Sequence, residues 1–100
     1  MARYTFDATL WVWEAHDGSW HFVTFPTDIA DEIEDLQSEP RRGFGAIKVR
    51  VTIGGTTWTT SAFPSRDHQS LILPIKAAVR AAEALASGDT VVVAVDLVSP

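Results

Sequence analysis

The segment Gly43–Ser61 constrains the fold more than any other part of the chain. Apolar and polar side chains alternate up to Ile53, a Gly54-Gly55 pair interrupts them, and the alternation resumes from Thr56. Glycines supply the positive φ that a two-residue primed turn requires, so this stretch predicts one β-hairpin of two half-buried strands. A turn at Gly54-Gly55 puts Ile47, Val49, Val51, Ile53, Trp58 and Ala62 on a core face. Lys48, Arg50, Thr52, Thr57, Thr59 and Ser61 then form an exposed polar face. The register is tested by two side chains: Trp58 must lie inward and Arg50 outward.

Upstream, Tyr4–Glu14 is rich in aromatic and β-branched residues and reads as a first strand, with Trp20–Phe25 as a second across His16-Asp17-Gly18-Ser19. A turn at Asp17-Gly18 places Trp11, Trp13, Ala15, Trp20 and Phe22 on one face, and Leu10, Val12, Glu14, His21, Val23 and Phe25 on the other. In that register His21 sits across from Glu14. Both faces are largely apolar, which predicts that both are covered. Pro26 ends the strand, and Thr27 or Asp28 caps a short acidic helix whose apolar residues Ile29, Ile33 and Leu36 follow a helical period.

Beyond the central hairpin, Pro64–Gln69 reads as a polar loop and Ser70–Leu73 as a short strand. Pro74 suits the first turn of a second helix, with Ile75, Ala78, Val79, Ala82 and Leu85 as its buried stripe and Gly88 as its stop. Thr90–Val98 is almost wholly β-branched and reads as an inner strand. The chain is thus predicted to be one mainly β (α+β) domain over residues 1–100. The expected form is a small closed or split antiparallel β-barrel of about six strands with two short helices, in the order β-β-α-β-β-β-α-β.

Without cysteine there is no disulfide frame and no thiolate nucleophile, which points to a reducing cytoplasm. No apolar run is long enough to span a bilayer, so no membrane partner is expected. The net charge of −5 argues against nucleic acid, since phosphate binding draws on Lys and Arg. The charge is nevertheless polarised: residues 1–40 carry nine acids against Arg3, whereas residues 41–100 carry seven bases against four acids. A local basic patch, or pairing of the two poles in a homodimer, is compatible with that distribution.

No catalytic constellation emerges. His16, His21 and His68 lack the spacing of a zinc site, and no calcium loop is present, so neither metal nor cofactor is expected. Asp67-His68 with Ser65, Ser70 and Ser61 has the ingredients of a hydrolytic triad without its Gly-x-Ser-x-Gly context. Three groups instead suit binding. Arg41, Arg42 and Phe44, set on glycines, can clamp an anion or stack on a ring, or can simply serve a tight loop. Lys48 and Arg50, with Arg66 and His68, can make a shallow basic, hydroxyl-rich patch, or protect a sheet edge. Trp11, Trp13 and Trp20, with Phe22, form an aromatic cluster that either fills the core or faces a partner or ring-shaped ligand.

The stretches Trp20–Pro26, Gly43-Phe44-Gly45, Val51–Ser61, Leu73–Arg80 and Gly88–Val91 together resemble the bacterial domain-of-unknown-function family 1905. The resemblance implies a compact β-barrel with two helices, similar to the split barrels of swapped-hairpin transcription factors and antitoxins, and brings no catalytic residues with it. The reading that follows is a non-catalytic binding or accessory module for a small anionic or aromatic ligand or a protein partner, as monomer or homodimer. Two alternatives stand beside it: a dimeric nucleic-acid-binding or antitoxin-like split barrel, and a small hydrolase or isomerase with His68 or His21 as base.

Overall fold

The structure, a computed structural model, describes residues 3–15, 18–36 and 45–98. Among the described residues seven strands and two helices follow one another: β1 (Arg3–Thr9), β2 (Trp11–Ala15), β3 (Gly18–Thr24), α1 (Thr27–Asp35), β4 (Ile47–Ile53), β5 (Thr56–Ser65), β6 (Ser70–Pro74), α2 (Ala77–Ala82) and β7 (Thr90–Leu97). All pairings are antiparallel, and they join the strands into one sheet in the order β1-β7-β4-β5-β6-β3-β2.

The sheet has seven strands and curls into a half-barrel, where a closed or split barrel of about six strands is expected from sequence, and two bends make its corners. Residues Thr56–Ala62 of β5 pair with β4, whereas Phe63–Ser65 pair with β6. At the second corner, the predicted first strand is two strands broken at Leu10. β1 pairs with β7 and β2 with β3, so the strands at the two ends of the sheet order are neighbours in sequence. Leu10 itself is fully buried; its N–H donates to the Asp89 carbonyl (2.9 Å), and its carbonyl accepts from the Gly88 N–H (2.7 Å). The corner is therefore held by its backbone as well as by its side chain.

The central hairpin has the register its sequence dictates. Ile53 pairs with Thr56, leaving Gly54-Gly55 as the turn, with Gly54 at φ 58°. A Cβ on Gly54 would collide with the Glu83 carboxylate, which accepts a hydrogen bond from Thr56 Oγ1 (2.7 Å) and ties the turn to the end of α2. Ile47, Val49, Val51, Ile53 and Ala62 are buried, Trp58 packs against that core, and Lys48 and Arg50 are exposed. β7 lies between β1 and β4 as an inner strand, with Val91, Val93 and Val95 inward.

Three local expectations give way to tertiary pairing. The first hairpin pairs Ala15 with Gly18, so Gly18 belongs to β3 rather than to an Asp17-Gly18 turn; Glu14 faces Ser19, and His21 faces Val12 instead of Glu14. Residues 16 and 17 lie outside the described ones. Pro74 pairs with Phe22 as the last residue of β6 instead of opening a helix. α2 is accordingly short. It ends before Ala84, which takes φ 54°, and it buries only Val79, with Ala78 and Ala82 exposed. α1 covers the inner side of β6 and contributes Ala30 and Ile33 to the core, but its N-terminal flank is Pro26, with no side-chain cap from Thr27 or Asp28.

Candidate functional site

Strand pairing sorts the aromatic residues of the second half of the sheet onto its outer side. Trp13 faces Trp20 across β2 and β3; Trp11, Phe22 and Pro74 form the next row, and Thr24, Ile72 and Phe63 the one after. The opposite side chains of these strands, Leu10, Val23, Leu71 and Leu73, fill the core. The aromatic face is thus open, contrary to the expectation that both sides of this hairpin are covered: Trp13 is 56% and Trp20 53% exposed. No side chain in the three rows carries a charge.

Trp11 forms the rigid floor of this face. Its Nε1–H donates to Thr24 Oγ1 (2.8 Å), its ring lies 4.9 Å from Phe22, and on its other side it stacks on the His68 imidazole at 4.6 Å and 23°. His68 is placed by the β5–β6 turn, closed by the Gln69 N–H donating to the Arg66 carbonyl, and its Nδ1 is 2.9 Å from Ser65 Oγ. Of the serines grouped with His68 by sequence, Ser70 donates to the Phe25 carbonyl (2.8 Å) and so secures the strand end instead. The Ser65–His68 contact buttresses Trp11.

The basic residues predicted to act together are dispersed. Arg41, Arg42 and Phe44 lie outside the described residues. Lys48 and Arg50 stand on the outer face of β4 opposite Ser61 and Thr59, whereas Arg66 and His68 follow Ser65 at the far end of β5, about 13 Å along the strand from Ser61 and about 20 Å from Thr59. Arg50 also faces Asp96 of β7. The Asp96 carboxyl is held below the ordinary carboxylate range by hydrogen bonds from Arg3 (2.7 and 3.0 Å), which outweigh the opposing effect of burial, and the charges of Arg3 and Arg50 add to the lowering. Arg66 borders a cleft of about 220 Å³ between α1 and the β5–β6 turn, together with Asp31 and Glu34. Arg50 and Arg66 therefore each have a carboxylate in their neighbourhood.

A different cationic group was not apparent from sequence. At the edge of the aromatic face, a groove of about 290 Å³ runs between β3 and the start of α2, lined by Ser19, Trp20, His21, Lys76 and Arg80 among others. The Ile75 N–H donates to the His21 carbonyl (2.8 Å), and the Arg80 Nε–H donates to the Ile75 carbonyl (3.1 Å). These two bonds fix both walls of the groove relative to each other. The signal in the sequence was the spacing of Lys76 and Arg80, four residues apart and hence on one side of a helical turn.

Among the described residues no three potential metal ligands converge, and no helix is long and apolar enough to cross a membrane. Fold and surface together define a small, mainly β half-barrel domain with one open aromatic face. The profile described as "Domain of unknown function (DUF1905)" matches residues 6–95, and the chain belongs to that family. No curated protein matches the chain.

Proposed function

We infer that this domain is a non-catalytic binding module that holds a small planar aromatic ligand against the Trp13–Trp20 face. The observation that carries the reading is the pairing of two half-exposed indoles on a rigid, uncharged sheet surface that ends in a groove of small-molecule size. Large apolar side chains facing water are the informative exception in a folded domain, and indole rings offer flat, polarisable area with little conformational entropy to lose. The floor supports the reading, because Trp11 is fixed from both sides and leaves its neighbours a preorganised platform.

Indole is the test ligand, followed by two-dimensional amide NMR. Shift changes are expected to cluster on β2 and β3 and on the Trp13 and Trp20 ring N–H signals. The double variant Trp13→Ala, Trp20→Ala is expected to weaken binding by roughly tenfold or more, the equivalent of one stacking contact. Shifts scattered over the whole surface, or an unchanged dissociation constant in the variant, would refute the reading.

A further inference from the structure

We propose that the groove beside Trp20 is an oxyanion site, so that the ligand is a planar ring bearing a carboxylate or phosphate group. The proposal rests on the ring-binding reading above and assigns the second half of the ligand. Two observations carry it. First, the groove is lined by two cations, Lys76 and Arg80, and by no carboxylate among its described residues, in a chain whose net charge is −5. The clefts and rows around Arg50 and Arg66 each include an acid, whereas the acid that strand pairing brings here, Glu14 opposite Ser19, is not among the residues that line the groove.

Second, the guanidinium is oriented before any ligand arrives. Arg80 uses its Nε–H on the Ile75 carbonyl, which leaves the terminal nitrogens of its planar fork for a bound oxygen pair. Lys76, one helical turn earlier, is exposed and adds a mobile point charge. Trp20 at the same wall presents its indole to the attached ring.

Four probes separate the parts: indole, indole-3-acetate, 3-indoxyl phosphate and inorganic phosphate, each titrated by calorimetry into the full chain and into Lys76→Gln. Lys76 is exposed and outside the core, so the variant leaves the fold intact. At least one of the two charged indoles is expected to bind about fivefold or more tighter than indole, and Lys76→Gln is expected to remove that margin while indole binding stays unchanged. The tighter of the two identifies carboxylate or phosphate as the group held. Equal affinities for indole and both charged indoles, or a margin that survives Lys76→Gln, overturns the oxyanion site and leaves the ring reading standing. Inorganic phosphate binding that is lost in Lys76→Gln, with no response to indole, supports the oxyanion site and refutes the ring platform. Silence from all four probes overturns both.

Discussion

Replacing Phe25 by alanine is expected to destabilise the domain by about 3–5 kcal/mol, the range for deleting a fully buried aromatic ring. Phe25 is 1% exposed, and its ring lies 5.0 Å from that of Phe6 at an interplanar angle of 46°. Its main chain is pinned on both sides: the N–H donates to the Leu71 carbonyl (2.9 Å), and the carbonyl accepts from Ser70 Oγ (2.8 Å). The strand end therefore cannot move inward to fill the space left by the ring. For a domain of this size the loss is a large part of a total of roughly 5–15 kcal/mol, and the melting temperature should fall by roughly 15–30 °C. Thermal and urea denaturation followed by circular dichroism reads the change directly. A loss below about 1 kcal/mol would mean that the Phe6–Phe25 contact is not central to the core.

The second large effect is expected at the corner. Leu10→Ala should cost about 2–5 kcal/mol, towards the upper end, because the residue is fully buried and its backbone is bonded to Gly88 and Asp89 across the corner. The control is Val92→Ala on the outer side of β7, where a 59% exposed valine should give a change within about 0.5 kcal/mol. Both are aliphatic truncations in the same sheet, so the contrast isolates burial from strand propensity. Equal urea midpoints for the two variants would remove Leu10 as the support of the corner.

Much of this fold was legible in the chain, and the failures have physical causes. The central hairpin could be read because alternation and the glycine pair agree, and β7 because its β-branched run admits little else. The break at Leu10 had no local sign. Phe6, Ala8, Leu10 and Val12 keep a period of two through the bend, and no glycine or proline marks it. In the first hairpin Asp17-Gly18 was the stronger turn signal, yet Gly18 pairs with Ala15. The register moved by two in the sum of paired positions, which changes every partner and preserves every face. The second helix was read too long because the alanine-rich stretch from Ala77 to Ala86 favours helix throughout, whereas its limits are set by pairing of Pro74 and by the backbone at Ala84.

The candidate site divides in the same way. That Trp11, Trp13 and Trp20 share a side follows from periodicity, but which side of a doubly apolar hairpin stays open depends on the direction in which the sheet curls, which brings β1 against β3. Lys48 and Arg50 were correctly turned outward, and what sequence could not supply was Asp96 arriving opposite Arg50 from the last strand. The groove between Trp20 and Arg80 exists only because the Ile75 amide reaches the His21 carbonyl, a contact between residues 54 positions apart.

The pairing of β1 with β7 brings Arg3 against Asp96, 93 positions away in sequence. Closing so long a loop costs about 3 kcal/mol more in chain entropy than closing a two-residue turn, by the logarithmic dependence on loop length. The β4–β5 ribbon can zip within microseconds on its own turn, whereas β1 gains its partner only once the opposite end of the chain is in place. In a refolding experiment with pulsed hydrogen exchange, amides of Val49 and Val51 should become protected before those of Tyr4 and Phe6, and the reverse order would contradict this sequence of assembly. Seam formation at the first strand is thus the late, entropy-limited event in the life of this sheet.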